Sequence, residues 1–345
     1  MDNRNVIGLD LAKNVFQLHI ADSSGKKIRS LRVRREQLLE TFANLPVSLV
    51  GLEACGGAHH WARELQKQGH EVKMMAPQHV KPYVQGNKTD ARDAIAISEA
   101  ASRPSVPSVR IRDIDQQQMQ ALHRTRELWM KQRIATGNQM RGILAEFGVV
   151  IPLSHTRLKK EIPLWLSGEG NPPVLSELIE LLYSELHRFD EQISLIENRI
   201  KLLHKGNAAS RLIESIPGIG LLTATAVIAS IGDASHYDSG RKLASALGLT
   251  PREHSSGDSR KQLGISKRGN RYLRTLLIQG ARTVLLTRKK NPKGDWLDQL
   301  LSRRGFNVAS VALAAKNARR IWAMLQTGEL FDVERDEKQR MLKAA

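Results

Sequence analysis

Two carboxylates sit three residues apart in Asp90–Ala91–Arg92–Asp93, at the start of an Ala/Ile-rich run that reads as a helix. Positions i and i+3 of a helix share a face, and a first helical turn tolerates negative charge. Two more acids have a related setting. Asp10 ends the apolar run Val6–Ile7–Gly8–Leu9, and Glu53 ends the run from Val47 to Leu52. Carboxylates at the ends of two buried strands, completed by a helix, are what a two-metal phosphoryl-transfer site requires. Mg2+ takes carboxylate oxygens and keeps waters, and two ions about 3.5–4 Å apart clamp the attacking and leaving oxygens of a phosphodiester. Alone, Asp-x-x-Asp at a helix start is a capping and dipole device. Four acids at element ends weigh toward metal chemistry.

A second group of residues suits phosphate. Residues 241–290 hold 13 Lys and Arg against two acids, Glu253 and Asp258. Arg252, Arg260, Lys261, Lys267, Arg268, Arg271 and Arg274 surround Ser255–Ser256–Gly257, which reads as a turn. Such a turn either cradles phosphate or presents a serine nucleophile, the cations stabilising charge on a phosphorane-like transition state. By residue type alone, hydrogen bonding to phosphate is the stronger reading. Upstream, Ile216–Pro217–Gly218–Ile219–Gly220 precedes an Ala-rich helix and reads as a helix-hairpin-helix turn. There Gly218 and Gly220 would let backbone N–H groups approach a phosphate at the second helix's N-terminus. An ordinary tight turn between helices is the alternative.

The elements that must position these residues follow from hydrophobic patterning. Residues 5–11 and 15–21 read as strands, Ile28, Leu31 and Val33 as a third, and 36–44 as a helix. Residues 47–52 are apolar enough for a buried parallel strand. A helix over 59–68 and a strand over 72–75 follow. The order β-β-β-α-β-α-β-α is that of an RNase H-like fold, giving an α/β first domain, residues 1–107, closed by the proline-bearing linker 102–107. His59 and His60 read as helix-start residues and Cys55 as a small packing residue. Helical pattern then dominates. Residues 116–147 read as one long helix. Leu175, Ile179, Leu182, Leu186, Phe189, Ile193, Ile196, Ile200 and Leu203 keep an alternating 4,3 spacing, which argues a coiled coil or long helical hairpin. Its partner is residues 116–147, another protomer, or both. The division is therefore a helical coiled-coil middle, 108–207, an all-α or mostly helical C-terminal domain, 208–330, and a charged tail, 331–345.

The chain has 345 residues and a formal net charge of +18. That excess points to a polyanion, most simply nucleic acid. Aromatics make up only 4%, which argues against base stacking as the main binding mode. The single cysteine, Cys55, excludes an internal disulfide and a cysteine-based zinc site. No apolar run approaches the ~20 residues of a membrane span, and no signal peptide is visible, so a cytoplasmic, nucleoid-associated protein is expected.

In sequence, the chain resembles the DEDD transposases of bacterial insertion sequences, the IS110 family and its IS1111 subgroup, with the Piv-type DNA invertases as relatives. The resemblance rests on Gly8–Leu9–Asp10, Gly51–Leu52–Glu53–Ala54 and Lys88–Thr89–Asp90–Ala91–Arg92–Asp93–Ala94. Near the C-terminus it rests on Ile216–Pro217–Gly218–Ile219–Gly220, Leu247–Gly248–Leu249–Thr250–Pro251, Ser255–Ser256–Gly257 and Ser266–Lys267–Arg268–Gly269–Asn270. It implies a RuvC-like first domain in which Asp10, Glu53, Asp90 and Asp93 hold Mg2+, with Mn2+ as a substitute. It also implies a C-terminal serine that attacks DNA and forms a phosphoserine link; Ser256 is the expected nucleophile and Ser255 the fallback. A homodimer or homotetramer guided by a structured RNA of the element is implied as well. The competing expectation is a Holliday-junction-resolvase-like nuclease that uses water as its nucleophile.

Overall fold

The computed structural model describes residues 4–87, 89–257, 259–290 and 293–332. The chain divides into two compact units, Met1–Ile114 and Asp115–Ala345.

The first unit is built on five strands: β1 (Val6–Asp10), β2 (Val15–Ala21), β3 (Lys27–Arg34), β4 (Leu49–Glu53) and β5 (Glu71–Met75). Their spatial order is β3-β2-β1-β4-β5; β1, β2 and β3 pair antiparallel, while β1, β4 and β5 run parallel. Alternation decides what each face does. Ile7, Leu9, Phe16, Leu18, Ile20, Val33, Val50 and Leu52 pack on one face with Leu38 and Phe42 of α1 (Leu38–Ala43) and Trp61 and Leu65 of α2 (Ala58–Lys67). The opposite face carries glycine where that face carries Leu or Val. A Cβ at Gly8 would overlap the Ala94 carbonyl oxygen and lie 2.5 Å from Ser98 N, and one at Gly51 would lie 2.7 Å from the Ala101 Cβ. These side-chain-free positions let the small-residue face of a helix, Ala94, Ile97, Ser98 and Ala101, lie directly on β1 and β4. After the short α3 (Pro77–Val80), that helix is α4 (Asp90–Ser102). The edge of β5 is covered by the following segment, with Val109 N donating to Met74 O and Ser108 bridging Met75. Among the described residues, no strand pairs with the outer edge of β3.

The second unit opens with α5 (Ile114–Glu146), α6 (His155–Leu166) and α7 (Pro173–Gly206). Arg126 pairs with Glu197 and Arg133 with Asp190, one heptad forward on α5 against one heptad back on α7, so these two helices are antiparallel. The heptad stripe is spent inside the chain. Leu175, Ile179 and Leu186 pack with Met140 and Leu144 of α5 and Leu158 and Ile162 of α6. Then come α8 (Ala208–Glu214), α9 (Leu221–Ile231), α10 (Gly240–Ala246), the antiparallel hairpin β6 (Pro251–Ser256) and β7 (Ser259–Ile265), α11 (Arg271–Lys290), α12 (Trp296–Arg304) and α13 (Phe306–Thr327). Ile213, Val227, Leu243, Leu277, Leu313 and Ile321 are central to their shared core. His123 of α5 is buried between the Thr225 hydroxyl, 3.0 Å, and the Tyr272 hydroxyl, 3.1 Å, and desolvation with nearby Arg126 lowers its pKa to about 4.

Two measurements test these packing claims. Gly8→Ala should destabilise the fold by roughly 3 kcal/mol, because α4 must move off the sheet, whereas Gly56→Ala, whose added methyl meets nothing within 4 Å, should leave the melting temperature nearly unchanged. Partial burial alone would raise the pKa of Asp190, but hydrogen bonds from Arg133, His155 and Lys159 outweigh it and pull the value to about 2. A depressed carboxylate stabilises the fold above its unfolded pKa near 4 and loses that contribution as pH falls toward 2. Asp190→Asn should therefore cost about 2 kcal/mol at pH 7, and denaturant titrations of variant and parent should converge as the pH drops from 4 to 2.

Candidate functional site

The register of β1 and β4 settles where the first two acids lie. Leu9 pairs with Leu52 in the parallel ladder, so the next residues, Asp10 and Glu53, end neighbouring strands about 4.8 Å apart. Both alternate with the glycines, two residues beyond Gly8 and Gly51, and so they face the side of the sheet that α4 covers. Ala94 lies over Gly8, and Ile97 and Ala101 lie over Gly51. Gly8 and Gly51 are register partners, so the helix crosses β1 and β4 on the face that Asp10 and Glu53 share, and Asp90 and Asp93 occupy its first turn. Neither aspartate caps the helix. Thr89 does, its side chain accepting from Arg92 N; Asp90 is exposed and Asp93 half-buried. Partial desolvation and the Glu53 and Asp10 carboxylates push the Cys55 thiol above its usual range, which marks the three groups as neighbours. Cys55 is exposed, not the packing residue its size suggested, because the chain turns out of the sheet at Gly56–Gly57. His59 accepts from Arg112 N and Nη1 contacts its Nε2 at 2.8 Å; His60 is exposed against Trp61.

The donor set is all carboxylate oxygen, which fits a hard divalent cation. Among the described residues, no three of His, Cys, Asp and Glu are already grouped closely enough to hold one ion. The strand-end pair is set by the register, and Asp90 is exposed and Asp93 half-buried in the first turn of α4.

In the second unit, the Ser-Ser-Gly stretch is not a plain loop. Ser255 and Ser256 end β6, and Ser256 pairs with Ser259 at the tip of the hairpin. Every residue of β6 is exposed, so the strand lacks the apolar alternation that reveals strands in a sequence. Its root is held from within. Lys267 N donates to Gly248 O and Ser266 N to Thr250 O. Gly248 (φ 69°) and Gly269 (φ 73°) occupy left-handed backbone positions where a Cβ would overlap the facing chain. Arg274 is buried and its Nη1 donates to Leu247 O at 3.1 Å and Arg268 O at 2.8 Å. Arg274 therefore clamps the hairpin root instead of facing solvent phosphate. Arg252, Lys261, Lys267, Arg268 and Arg271 are exposed. Asp258 and the side chain of Arg260 lie outside the described residues.

Alternation along β6 separates the two serines. The Ser255 hydroxyl donates to Glu253 Oε1 at 2.8 Å. Ser256 points to the other face, with His254 two residues back and Lys261 across from His254. Reading the sequence did not single out His254, and only the strand assignment does. In the helix-hairpin-helix turn, the glycines divide their work. Gly218 (φ 87°) meets α11 backbone to backbone, where a Cβ would lie 2.7 Å from Gly280 O. Asn317 Nδ2 donates to Pro217 O at 3.1 Å. Gly220 precedes α9 with no side-chain cap and open space around it. The free N–H groups of that helix terminus can take a phosphate; Gly218 serves packing.

The comparisons with known proteins bear on both units. The profile described as Transposase IS116/IS110/IS902 family matches residues 210–295, and an IS110-type DEDD transposase profile matches residues 7–148. The transposase for insertion sequence element IS1111A of Coxiella burnetii is 45% identical over 335 residues, covering 96% of this chain and 92% of the relative. A probable family 20 transposase of Pseudomonas aeruginosa is 44% identical, covering 94% and 97%. More distant, a pilin gene-inverting protein of Moraxella bovis is 25% identical, covering 90% and 92%. With such likeness running through both units, the chain belongs to the IS110 family of insertion-sequence transposases, enzymes that cleave DNA and transfer its strands.

Proposed function

We propose that this transposase is a serine recombinase with a metal-assisted acidic site, working on the ends of its element and on target DNA. The observation that carries the reading is the side-by-side placement of Asp10 and Glu53 at the ends of β1 and β4, on the sheet face that α4 covers. The sheet order β3-β2-β1-β4-β5 is that of an RNase H-like, RuvC-like domain and supports it. Asp10, Glu53, Asp90 and Asp93 would hold Mg2+, or Mn2+ in its place. Bound there, the metal would polarise the scissile phosphate and neutralise developing charge.

The chain's own chemistry then rests on Ser256. Its hydroxyl, unlike that of Ser255, is not committed to Glu253. Attack forms an Oγ–P bond as the P–O bond to the departing sugar oxygen breaks. We assign His254, two residues back on the same strand face, as the acceptor of the serine proton, and the leaving oxygen is protonated in turn. Arg252, Lys261, Lys267, Arg268 and Arg271 hold the flanking phosphates, with the N-terminus of α9 at Gly220 binding backbone without regard to sequence. A structured guide RNA is part of the proposal, and the +18 charge suits a second polyanion. So is a homodimer or homotetramer. Val174 and Leu181, and then Leu195 and Leu202, are exposed seven residues apart, with Arg188 at the heptad position between the pairs, giving α7 two apolar patches beyond its buried stripe. No helix among the described residues is long and apolar enough to cross a membrane, in keeping with action on cytoplasmic, nucleoid DNA.

Trapping tests the proposal. With Mg2+, element-end DNA and the element's RNA, denaturation should reveal a protein–DNA adduct that Ser256→Ala abolishes and Ser255→Ala retains. Asp10→Asn should abolish adduct and strand transfer while leaving nucleic-acid binding within about three-fold. Cleaved DNA with no adduct would replace the serine with water and make the protein a resolvase-like nuclease.

A further inference from the structure

The four acids pose a problem that they do not solve: a site lined with carboxylates repels the DNA phosphates on either side of the one it cleaves. The cations that could offset this must lie on the same face of the sheet. The register identifies them. Asp10 pairs with Gln17, and Gln17 pairs with Arg32, so one row crosses the sheet as Arg32–Gln17–Asp10 and continues to Glu53. Directly cross-strand residues point to the same face. The neighbouring row confirms which face this is. Gly8, His19 and Ser30 are register partners, Gly8 lies under α4, and His19 Nδ1 meets the Ser98 Oγ of α4 at 2.9 Å. Arg32 and Arg34, two and four residues beyond Ser30, share that face and lead past the helix to the acidic edge.

We propose that Arg32 and Arg34 form a phosphate track on the open edge of the sheet, guiding the DNA strand that enters the acidic site. Arg32 lies two strands from Asp10, about 10 Å across the sheet, a span of about three nucleotides of helical rise. Both guanidiniums are exposed, and among the described residues neither has a hydrogen bond or ion pair. Binding phosphate there breaks no existing bond. The placement is face-specific. Arg29, on the same strand, pairs with Ile20, whose side chain is buried in the core on the far side. Arginine on an edge strand also serves simply to discourage pairing with another chain, and that role does not distinguish faces.

The contrast between faces supplies the test, which rests on the acidic-site reading above. DNA binding by the full chain is measured against salt on duplex carrying the element ends, alongside Mg2+-dependent cleavage of the same DNA. Arg32→Ala and Arg34→Ala should each lower the slope of log K against log salt by about 0.9, the value of one phosphate contact, and the double variant should cleave at least roughly ten-fold more slowly. Arg32→Lys should restore the slope. Arg29→Ala, which removes the same charge from the other face, should match the parent. Equal effects at all three positions, or none at Arg32 and Arg34, would overturn the track in favour of general charge or edge protection. Asp10→Asn separates this inference from the one beneath it. Full cleavage by that variant would bring down the acidic site and the track together. Its inactivity beside unaltered Arg32→Ala and Arg34→Ala slopes and rates would bring down the track alone.

Discussion

The arrangement of the first unit depends on one close approach, that of α4 to β1 and β4. Neither Gly8 nor Gly51 can carry a Cβ while the helix lies where it does. The contact fixes the helix lengthwise as well as in depth, because Ala94 and Ser98 straddle Gly8 and Ile97 and Ala101 sit over Gly51. The helix that carries Asp90 and Asp93 and the strands that end in Asp10 and Glu53 are thus locked together by residues that do no chemistry. His19 and Ser98 add a polar pin at the same seam.

The serine is presented by the opposite strategy. Its hairpin has no core of its own, since β6 is exposed throughout, and a two-stranded hairpin is marginal in water by itself. Order is imposed at the root, where Gly248, Gly269 and the buried Arg274 tie β6 and β7 to α10 and α11. A fixed root with an exposed first strand suits the nucleophile proposed at Ser256. Burial and nearby Arg271 lower the pKa of Arg274, yet its carbonyl partners keep the guanidinium well served.

Much of this was legible in the residues. The strands of the first unit and the two long helices announce themselves by period, and Asp10, Glu53, Asp90 and Asp93 stand out because each ends or begins such an element. Legibility failed where backbone, not side-chain pattern, decides. The β6–β7 hairpin has polar residues on both faces, so its alternation is invisible, and with it the separation of Ser255 from Ser256 and the place of His254. Arg274 looks like any cation in a basic run until burial shows it turned inward. Gly218 and Gly220 look alike, yet one meets Gly280 and the other opens to solvent. The heptad stripe of α7 was plain, but only the fold shows that α5 and α6 take up its first part, Leu175, Ile179 and Leu186.

The most direct test of the acidic site probes the phosphate itself. A single non-bridging oxygen at the scissile phosphate is replaced by sulfur, each stereoisomer is tested, and strand cleavage is followed with Mg2+ and then with Mn2+. Mg2+ binds sulfur poorly and the softer Mn2+ tolerates it. If Asp10, Glu53, Asp90 and Asp93 hold a metal against that phosphate, one isomer should be cleaved slowly in Mg2+ and recover in Mn2+. Cleavage of both isomers at the unmodified rate in Mg2+ would contradict a metal at this edge and leave the four carboxylates without the role assigned to them.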